Sequence, residues 1–535
     1  MRTLANEPQV AVVGSGPSGI ACAKALVRRG VRVVLLDVGD QLDARRQSLV
    51  DRLGAQDHKQ WSAPDRQTLT ENPTVFGRGV PKKLVFGSDY IYARNDQRAP
   101  IVAEPSVAAV PTLACGGFSM AWGGAMLPTA ECDMVDWPFG RARLEPAYRQ
   151  VLADLPFSAV HDGLESEFPL YREPDRAIRL PRQAAAFAAD FAHHPPSGSG
   201  GDTILCGQSR LALRAADAAM GQGCRYCGLC LNGCVYHSIH TFDRDLRRMV
   251  ADGSIEYRPG VVVRHLVEEA TGVRVHWLSP ATHTAGSESF ARLFLAAGAL
   301  NSARILLESM GRYDTPVTFL DSQKFIVPLV RWQSSPIEWP DVNTLPSLFL
   351  EARLPSISPH WVHMQVSTMN NFVLGRFGLQ EPGGTRWQWL RFGLERLMIA
   401  WCGLHSSLSN GFVASLRKAD DDGPGAMILT QVRNPATEPT IHRTVRRMMA
   451  KSLRGRTLVL PMVTISDIGG GNHFGGAFPM RETPGMFNHT DLLGRPSGWE
   501  RVHLVDGAVL PSIPATTVAL PMMANAYRIA TDAPI

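Results

Sequence analysis

Four cysteines lie close together near the middle of the chain. Cys224, Cys227, Cys230 and Cys234 have the spacing C-x2-C-x2-C-x3-C, with which thiolates hold iron–sulfur clusters. Structural zinc is the alternative, but zinc ligands usually come as two well-separated pairs, and these four fall within one short run. The run therefore predicts an iron–sulfur cluster, either 4Fe-4S or 3Fe-4S.

The fourth ligand of this cluster is open at the level of sequence. In proteins with two clusters the last cysteine of such a run ligates the other cluster, and this chain has a single run. Three arrangements are consistent with it: Cys234 completes the site, Cys206 or Cys115 does so from elsewhere, or three cysteines hold a three-iron cluster. Cys22 and Cys402 lie in apolar helical patterns and are predicted to fill the core.

A second chemical motif begins at Val10 with VAVVGSGPSGIACAKALVRRGVRVVLLD, which predicts strand, turn, helix and strand. Its turn contains Gly14, Ser15, Gly16 and Gly19 in the pattern G-x-G-x-x-G. In such a turn the first glycine permits the bend, the second lets a pyrophosphate approach, and the third packs helix on strand. Asp37 closes the second strand, where an acidic residue accepts hydrogen bonds from a ribose. The unit predicts dinucleotide binding, by NAD or FAD.

A second strand-and-glycine unit, ARLFLAAGALNSARILLES from Ala291, adds weight to FAD through Ala297 and Gly298. It resembles the turn with which flavoproteins return to the cofactor. The alternation just upstream predicts an antiparallel hairpin near residues 254–278, which includes Val262.

Three further segments resemble the glucose-methanol-choline (GMC) flavoprotein oxidoreductases. ACGGFSMAWGG at 114–124 is similar to the family's glycine-rich loop over the flavin, GNHFGGAFPM at 471–480 to its histidine motif, and LVDGAVLPSIPATTVALPMMANAYRIA from Leu504 to its C-terminal strand, turn and helix. The resemblance implies FAD contacts from these segments at Gly116, Gly117, Ser119, Gly123, Asp506 and Gly507. Some GMC dehydrogenases also carry a cysteine-ligated iron–sulfur cluster, and the resemblance points to that branch.

The resemblance implies an α/β chain (α+β overall) with a Rossmann-like FAD-binding domain of GMC type and a mixed-sheet substrate domain. The FAD-binding domain is predicted at 1–45, 76–150, 200–310 and 456–535, with a cysteine insert at 222–240, and the substrate or cap domain at 151–199 and 311–455. Polar segments at 193–202 and 419–425 are predicted linkers.

His473 is the predicted catalytic base. Hydride leaves an alcohol carbon readily when the hydroxyl proton is withdrawn, and an imidazole titrates in the range that this task needs. At the second catalytic position, where relatives carry His or Asn, the chain has Thr517. A threonine hydroxyl orients a substrate oxygen but is no base near neutral pH, so three possibilities stay open: Thr517 assists His473, or Asn525 or His489 substitutes.

Composition narrows the class of protein. The chain has 535 residues, 45% of them hydrophobic, and a net charge of +5 without a basic block, which argues against a dedicated nucleic-acid-binding protein. MRTLANEPQVAVVG lacks the apolar stretch of a signal peptide, and no uncharged run reaches the ~18 residues of a membrane span. These features predict a cytoplasmic protein without a transmembrane segment.

Two segments of the middle region have helical patterns. RWQWLRFGLERLMIAWCGL, from Arg386 through Trp401, predicts an amphipathic helix. It is expected to cap the core, with contact to a membrane surface or a partner as the alternative. HRTVRRMMAKSLRGR, from His442, predicts a basic helix or loop.

The function predicted from sequence is a dehydrogenase. It uses FAD to oxidise an alcohol group of a polar, carbohydrate-type substrate, and relays electrons through the cysteine cluster to a protein or quinone acceptor. Two other functions are carried forward: a redox-neutral sugar epimerase that returns the hydride, and a flavin protein without catalysis that transfers electrons.

Overall fold

The computed structural model describes residues 9–71, 80, 83–93, 96–193, 201–216, 222–370, 373–374, 384–419, 424–435 and 440–535. The α-helices within these ranges are α1 (Pro17–Arg28), α2 (Ala44–Gly54), α3 (Ala63–Thr70), α4 (Glu145–Ala153), α5 (Arg182–His193), α6 (Phe242–Ala251), α7 (Ala299–Ser309), α8 (Gly384–Leu394), α9 (Ile441–Ser452) and α10 (Ala519–Asp532).

The strands of the same ranges form four sheets. They are β1 (Val10–Val13), β2 (Val33–Leu36), β3 (Ile101–Ala103), β4 (Thr203–Gln208), β5 (Ile255–Arg258), β6 (Val262–Glu269), β7 (Gly272–Ser279), β8 (Thr284–Phe290), β9 (Arg292–Leu295), β10 (Val317–Asp321), β11 (Lys324–Arg331), β12 (Leu348–Arg353), β13 (Trp361–Ser367), β14 (Leu397–Gly403), β15 (Gly411–Arg417), β16 (Ala426–Val432), β17 (Thr457–Val459), β18 (Thr464–Ile465), β19 (Phe474–Gly475) and β20 (Val502–Leu504).

A parallel sheet in the order β20-β9-β1-β2-β5 carries the glycine turn. Its inner strands are buried along almost their whole length, as expected where helices cover both faces of a parallel sheet. Helix α1 follows β1, and α7 follows β9. The predicted fold class, a Rossmann-like domain within an α/β chain, is confirmed.

Two glycines of the first turn are required by main-chain contact. Gly14 has a φ of +99°, and a side chain there would also meet the carbonyl of Ala296. Gly19 lies in α1, where a Cβ would collide with the carbonyl oxygen of Gly14. The turn therefore closes because glycine lets helix and strand approach each other.

An antiparallel sheet in the order β17-β11-β14-β13-β12-β4, with β18 on β11, stands beside the cavity described below. One of its faces is apolar and packs against α5 and α9. The other face carries polar residues at alternate positions, such as His363, Gln365 and Ser367 of β13, and these line the cavity. Strand β4 pairs with β12, so residues 203–208 join this sheet although the sequence assigned them to the cofactor domain.

Two smaller sheets complete the chain. One of them has the strand order β19-β10-β15-β16-β3. In this sheet Asp321 of β10 pairs with Phe474 of β19, and the pairing anchors the predicted histidine motif. The other is the antiparallel β6-β7-β8. The hairpin predicted near 254–278 corresponds to β6 and β7, whereas β5 joins the parallel sheet.

The helix predicted from Arg386 through Trp401 is wrong in its second half. Helix α8 ends at Leu394, and β14 begins at Leu397. From Leu397 onward half-buried and buried residues alternate, which is the period of a strand, and β14 pairs with β11 and β13. Cys402 is therefore a core residue on a strand, while Cys22 is a core residue on α1.

Helix α8 presents two aromatic side chains to solvent, because Trp389 and Phe392 are 81% and 71% exposed.

The basic segment from His442 forms most of α9, which buries Val445 and Met449. None of the helices in the described part of the chain combines the length and the hydropathy needed to traverse a bilayer. The central parts of both predicted linkers, 194–200 and 420–423, lie outside the described residues.

We expect Gly19→Ala to destabilise the protein by about 2 kcal/mol, a typical cost of overpacking, because the methyl group meets main-chain atoms that cannot turn away. The measurement is the free energy of unfolding in urea. Gly393→Ala, in α8 with nothing within 4 Å of its Cβ, is the matched helical control and should leave stability unchanged or raise it. Equal effects of the two substitutions would contradict the packing role of Gly19.

Candidate active site

A cavity of about 480 Å³ runs from the glycine turn to the polar face of the antiparallel sheet. Gly14 and Asp37 line one end, and His473, Thr517 and His363 line the other. Residues that are far apart in the sequence therefore face one enclosed space, which is the arrangement expected of a ligand site.

The start of α1 can hold a phosphate group. The helix begins at Pro17 without a capping side chain, and Gly16, Pro17 and Ser18 line the cavity. The Ser18 hydroxyl oxygen is buried and has no hydrogen-bond partner among the described residues. Amide groups and the dipole at a helix N-terminus favour an anion, so this end of the cavity fits the pyrophosphate of a dinucleotide.

Asp37 is held at the end of β2 by two hydroxyl groups. Ser15 donates a short hydrogen bond to its Oδ2, and Tyr257 donates to the same oxygen at 3.5 Å. The main-chain N–H of Gly116 donates to the Ser15 hydroxyl at 2.9 Å, which links the glycine turn to the glycine-rich loop. Burial raises the pKa of Asp37 to about 7.

Asp506 joins the second glycine unit to the C-terminal segment. Its Oδ2 accepts hydrogen bonds from Gly298 N at 2.9 Å and from the Ser302 hydroxyl at 2.5 Å. Its Oδ1 accepts from Ala508 N at 2.9 Å, and burial raises its pKa to about 6. The start of α7 and the turn after β20 therefore meet at one carboxyl group beside the cavity.

Most residues that were predicted to contact the cofactor line the cavity: Gly14, Ser15, Gly16, Asp37, Gly117, Ser119, Gly123, Val262, Ala297, Gly298, Asp506 and Gly507. Gly19 and Gly116 do not belong to this lining. Gly19 packs against Gly14, and Gly116, with a φ of +84°, packs against Met120 and Asp243. Both support the loops that form the wall.

His473 is anchored through the main chain. Its carbonyl oxygen accepts a hydrogen bond from Ser322 N at 3.0 Å, and the next residue, Phe474, pairs with Asp321. Its Nδ1 is buried without a partner among the described residues, which leaves Nε2 as the nitrogen available to the cavity. Burial, together with the positive charge of Lys324, lowers the pKa of His473 well below its usual range, so its imidazole is a neutral base at pH 7.

Thr517 lines the cavity, and its hydroxyl oxygen already accepts one hydrogen bond from the main chain. Leu127 N donates a hydrogen bond to Thr517 Oγ1 at 3.0 Å, and the side chain is buried. Its oxygen therefore positions the main chain around Leu127, while its O–H group remains able to donate a hydrogen bond.

The two residues considered as substitutes for Thr517 do not belong to the cavity lining within the described chain. Asn525 is fully buried and accepts a hydrogen bond from Arg528 at 2.8 Å. His489 lies in a loop, where its Nδ1 accepts from Gly485 N at 3.2 Å. Neither one is placed to act on a ligand beside His473.

Four polar residues near His473 were not predicted from the sequence. Lys324 pairs across the sheet with Gly403, Gly403 with His363, and His363 with Glu351, so one row of residues crosses four strands on the same face. Gln365 lies two residues beyond His363, on that face. The sequence signal for these residues was the alternation in WVHMQVS and KFIVPLVR. This alternation does not show which strands pair, and it is the pairing that brings these residues together.

The row contains a short hydrogen-bonded chain. His363 Nδ1 lies 2.6 Å from Glu351 Oε1, and Gln365 Nε2 lies 3.1 Å from His363 Nε2. Burial raises the pKa of Glu351 well above its usual range and lowers that of His363 well below it. Each group is therefore favoured in its neutral form, and their contact fixes the orientation of the His363 ring.

The structure brings the four cysteines of the run together as free thiols. Burial, together with the neighbouring Cys230 and Cys234, raises the pKa of Cys224 to about 12. The pKa of Cys227 is likewise raised by burial and by the other three. Such proximity means that thiolates would form here only with a positively charged partner, such as a metal centre.

Several N–H groups point at these sulfur atoms. Tyr226 N and Asn343 Nδ2 lie 3.4 and 3.5 Å from Cys224 Sγ. Thr344 N lies 3.4 Å from Cys230 Sγ, and Ser238 N lies 3.2 Å from Cys234 Sγ. Hydrogen bonds to sulfur stabilise the thiolates of iron–sulfur clusters and tune their potential, so the surroundings fit that group.

The sulfur atoms of the run are spaced more widely than a single zinc ion requires. Tetrahedral zinc with bonds of ~2.3 Å needs sulfur atoms roughly 3.8 Å apart. Within the described residues, no three of these sulfur atoms lie within 4.8 Å of one another. A cluster is a larger body than a single ion and places its ligands further apart. Cys115 lies near Asp37 and Ser15, and Cys206 lies on β4, so Cys234 is the best-placed fourth ligand.

The cysteine run forms part of the wall of the cavity. Leu231, within the run, and Leu345, next to Thr344, line the cavity. Lys83 also lines it; burial lowers the pKa of Lys83 to about 8, while Cys230 and Cys234 act in the opposite direction. The cysteines and the cavity are therefore neighbours across a thin layer of side chains.

Asp133, His360 and His405 form another group of potential ligands, with atoms within 4.8 Å of one another. The two rings are stacked at a centroid distance of 3.7 Å and an interplanar angle of 13°, so their lone pairs run side by side and do not converge. Moreover, His405 Nδ1 accepts from Ser407 N at 3.2 Å, which puts the proton of the neutral ring on Nε2. The stacked rings therefore do not suit a shared metal ion, although Asp133 Oδ2, His360 Nδ1 and His405 Nε2 are buried without hydrogen-bond partners among the described residues.

The parallel sheet, the glycine turn and the cavity define a chain built on a Rossmann-like domain. Residues 12–55 match the model of the NAD(P)-binding Rossmann-like domain family. No curated protein matches the chain. Among solved structures the chain is similar to pyridoxine 4-oxidase from Mesorbium loti, with a TM-score of 0.56 and 14% identity, over 98% of this chain and 98% of that chain. The likeness confirms the fold over nearly the whole sequence.

We expect Thr517→Val to lower the free energy of unfolding by about 1–3 kcal/mol, because it leaves the buried N–H of Leu127 without its acceptor. Thr517→Ser keeps the hydroxyl oxygen and should retain most of the stability. Urea unfolding of both variants is the measurement. A valine variant as stable as the native protein would show that this hydrogen bond does not hold the wall in place.

Proposed function

We propose that this protein is a flavin-dependent oxidoreductase of the GMC family. In this proposal it binds FAD along the cavity and oxidises an alcohol group of a small polar substrate of carbohydrate type. The observation that carries the proposal is the continuity of the cavity, which joins a phosphate-binding helix start to a neutral, partly buried histidine. The likeness to an oxidase fold supports it.

The residues around the cavity have separate tasks in this reaction. The amides at the start of α1 bind the pyrophosphate, and Asp37 receives a ribose hydroxyl. FAD, when bound, supplies the two-electron acceptor for the hydride that leaves the substrate carbon. Nε2 of His473 takes the hydroxyl proton, because burial and nearby positive charge keep this imidazole neutral before the reaction.

The far end of the cavity suits a polar substrate. Gln365, Ser367 and Asn370 supply donors and acceptors, and Trp401 supplies a ring face of the kind that packs against a sugar. Asn370 bonds Thr368 O and Val373 N, and Gln365 bonds His363 Nε2, so a polar substrate would use the donors and acceptors that these side chains have left.

The cysteine run supports a dehydrogenase over a redox-neutral enzyme. An iron–sulfur cluster, when bound by Cys224, Cys227, Cys230 and Cys234, supplies one-electron transfer. Its position behind Leu231 and Leu345 favours electron transfer between the cavity and an outside acceptor, a protein or a quinone. An epimerase that returns its hydride has no need of such a route. The proposal includes a cytoplasmic location, with Trp389 and Phe392 on α8 available for contact with a membrane surface.

We expect His473→Ala to retain FAD but to slow anaerobic reduction of the flavin by a reactive alcohol by about 100- to 10,000-fold, the usual contribution of a general base. Stopped-flow absorbance with a panel of polyols and aldoses measures this rate. His489→Ala, outside the cavity lining, is the matched histidine control and should react at the native rate. Unchanged reduction in His473→Ala would remove the histidine from the mechanism.

We expect anaerobically purified protein to contain iron and acid-labile sulfide, and Cys230→Ala to lose both, because one ligand of the buried set is gone. The variant should still be reduced by substrate but should fail to pass electrons to a one-electron acceptor. Cys206→Ala, a thiol on β4, is the control. Iron analysis with absorption spectra before and after dithionite is the measurement, and zinc in place of iron would overturn the relay.

A further inference from the structure

Lys324 is one of the residues that line the cavity. Its Nζ donates hydrogen bonds to the Ser322 hydroxyl at 3.0 Å and to the carbonyl oxygen of Ala515 at 3.3 Å. An ammonium has three N–H groups, and the third has no acceptor among the described residues. Within the same residues, Lys324 has no ion pair with a carboxylate. The ammonium therefore has one donor left for a ligand.

The path of the Lys324 side chain is kept clear by two glycines. A Cβ on Gly403, the cross-strand neighbour of Lys324, would lie 2.6 Å from its Nζ. A Cβ on Gly471 would lie 2.8 Å from its Cγ. Any other residue at either position would displace the lysine, so the surrounding main chain is fitted to this side chain.

Lys324 connects the two segments that carry the predicted catalytic positions. Ser322, which accepts a hydrogen bond from its Nζ, donates its own main-chain N–H to the carbonyl oxygen of His473. Ala515, the other acceptor, lies two residues before Thr517. The ammonium is thus held between the histidine loop and the C-terminal loop, the location where a second group beside His473 is needed.

The charged and titratable groups around Lys324 come from every strand packed against it. Those that act on its pKa are Asp321, Glu351 and Cys402, and Lys324 in turn lowers the pKa of His363 and His473. Burial lowers the pKa of Lys324 to about 8, and Asp321 counteracts this. At pH 7 the group is mostly a cation, whereas above pH 8 it becomes a neutral amine.

We propose that Lys324 is the second substrate-contacting group of this site, and that its free N–H donates a hydrogen bond to the hydroxyl oxygen of the substrate. This inference rests on the proposed function. Thr517, whose oxygen accepts from Leu127 N, can donate a neutral O–H, whereas Lys324 donates from a cation, and hydrogen bonds from a charged donor are the stronger ones. When the O–H proton passes to His473 and hydride leaves the carbon, the oxygen carries developing negative charge and becomes a carbonyl. Lys324 stabilises that charge and keeps its own protons.

The first experiment compares Lys324→Met with Ser322→Ala in the flavin-loaded protein. We expect Lys324→Met to retain FAD and to slow flavin reduction by alcohol about 100- to 1,000-fold, as when one oxyanion donor is removed. Ser322→Ala removes one hydrogen-bond acceptor of the lysine but keeps the ammonium, and should slow flavin reduction less than tenfold. Equal losses of reduction rate in the two variants would mean that Lys324 only holds neighbouring segments in place, and would overturn the proposal.

The second experiment detects the ammonium without turnover. Acetate, a small anionic oxygen ligand, is titrated into the flavin-loaded protein by calorimetry between pH 6 and pH 9. We expect native affinity to weaken as pH rises through about 8, where Lys324 loses its charge. Lys324→Met should bind acetate at least tenfold more weakly at pH 7 and lose this pH dependence. Native-like binding by that variant would overturn the proposal.

The two experiments separate the inference from the function on which it rests. If alcohols fail to reduce the flavin of the native protein, the proposed function fails, while the acetate titration still decides whether Lys324 presents a donor to the cavity. If Lys324→Met does not fold, Lys324→Gln keeps a polar group near Ser322 and Ala515 without the charge. It should show the same loss of acetate binding, and native-like binding by Lys324→Gln would count against the proposal.

Discussion

The cavity depends on a close contact between two main chains at its cofactor end. A Cβ on Gly117 would lie 3.0 Å from the Cα of Gly16, so the glycine-rich loop touches the Rossmann turn with no side chain between them. The hydrogen bonds from Gly116 N to Ser15 and from Ser15 to Asp37 continue this contact. Because both segments are fixed there, the cavity wall that follows Gly117 leads towards the antiparallel sheet.

At the other end the cavity is shaped by how charge is buried. Desolvation favours neutral forms of Glu351, His363 and His473, and Lys324 is the group that stays mostly charged at pH 7. A cation among buried neutral polar groups creates a positive potential that solvent screens less than it would at the surface. Such a field favours reactions in which an oxygen gains negative charge, and it also favours the deprotonated form of His473.

Sequence reasoning succeeded where structure is local and failed where it depends on strand pairing. The turn at Gly14 and the segments that line the cofactor end are short motifs whose glycines are required by local turns and close main-chain contacts. They could therefore be placed before the fold was known. The apolar run after Leu394 satisfies helix and strand periods equally, and pairing with β11 and β13 decides for the strand. Lys324 and His363 are brought together by that same pairing, which no local pattern reveals.

The cysteine run extends this reasoning from one site to two. Asn343 and Thr344 donate N–H groups to Cys224 and Cys230, and the adjacent Leu345 lines the cavity. The segment that donates hydrogen bonds to the sulfur atoms is therefore the same segment that forms part of the cavity wall. A change in charge on the sulfur side would act on the hydrogen bonds of this segment.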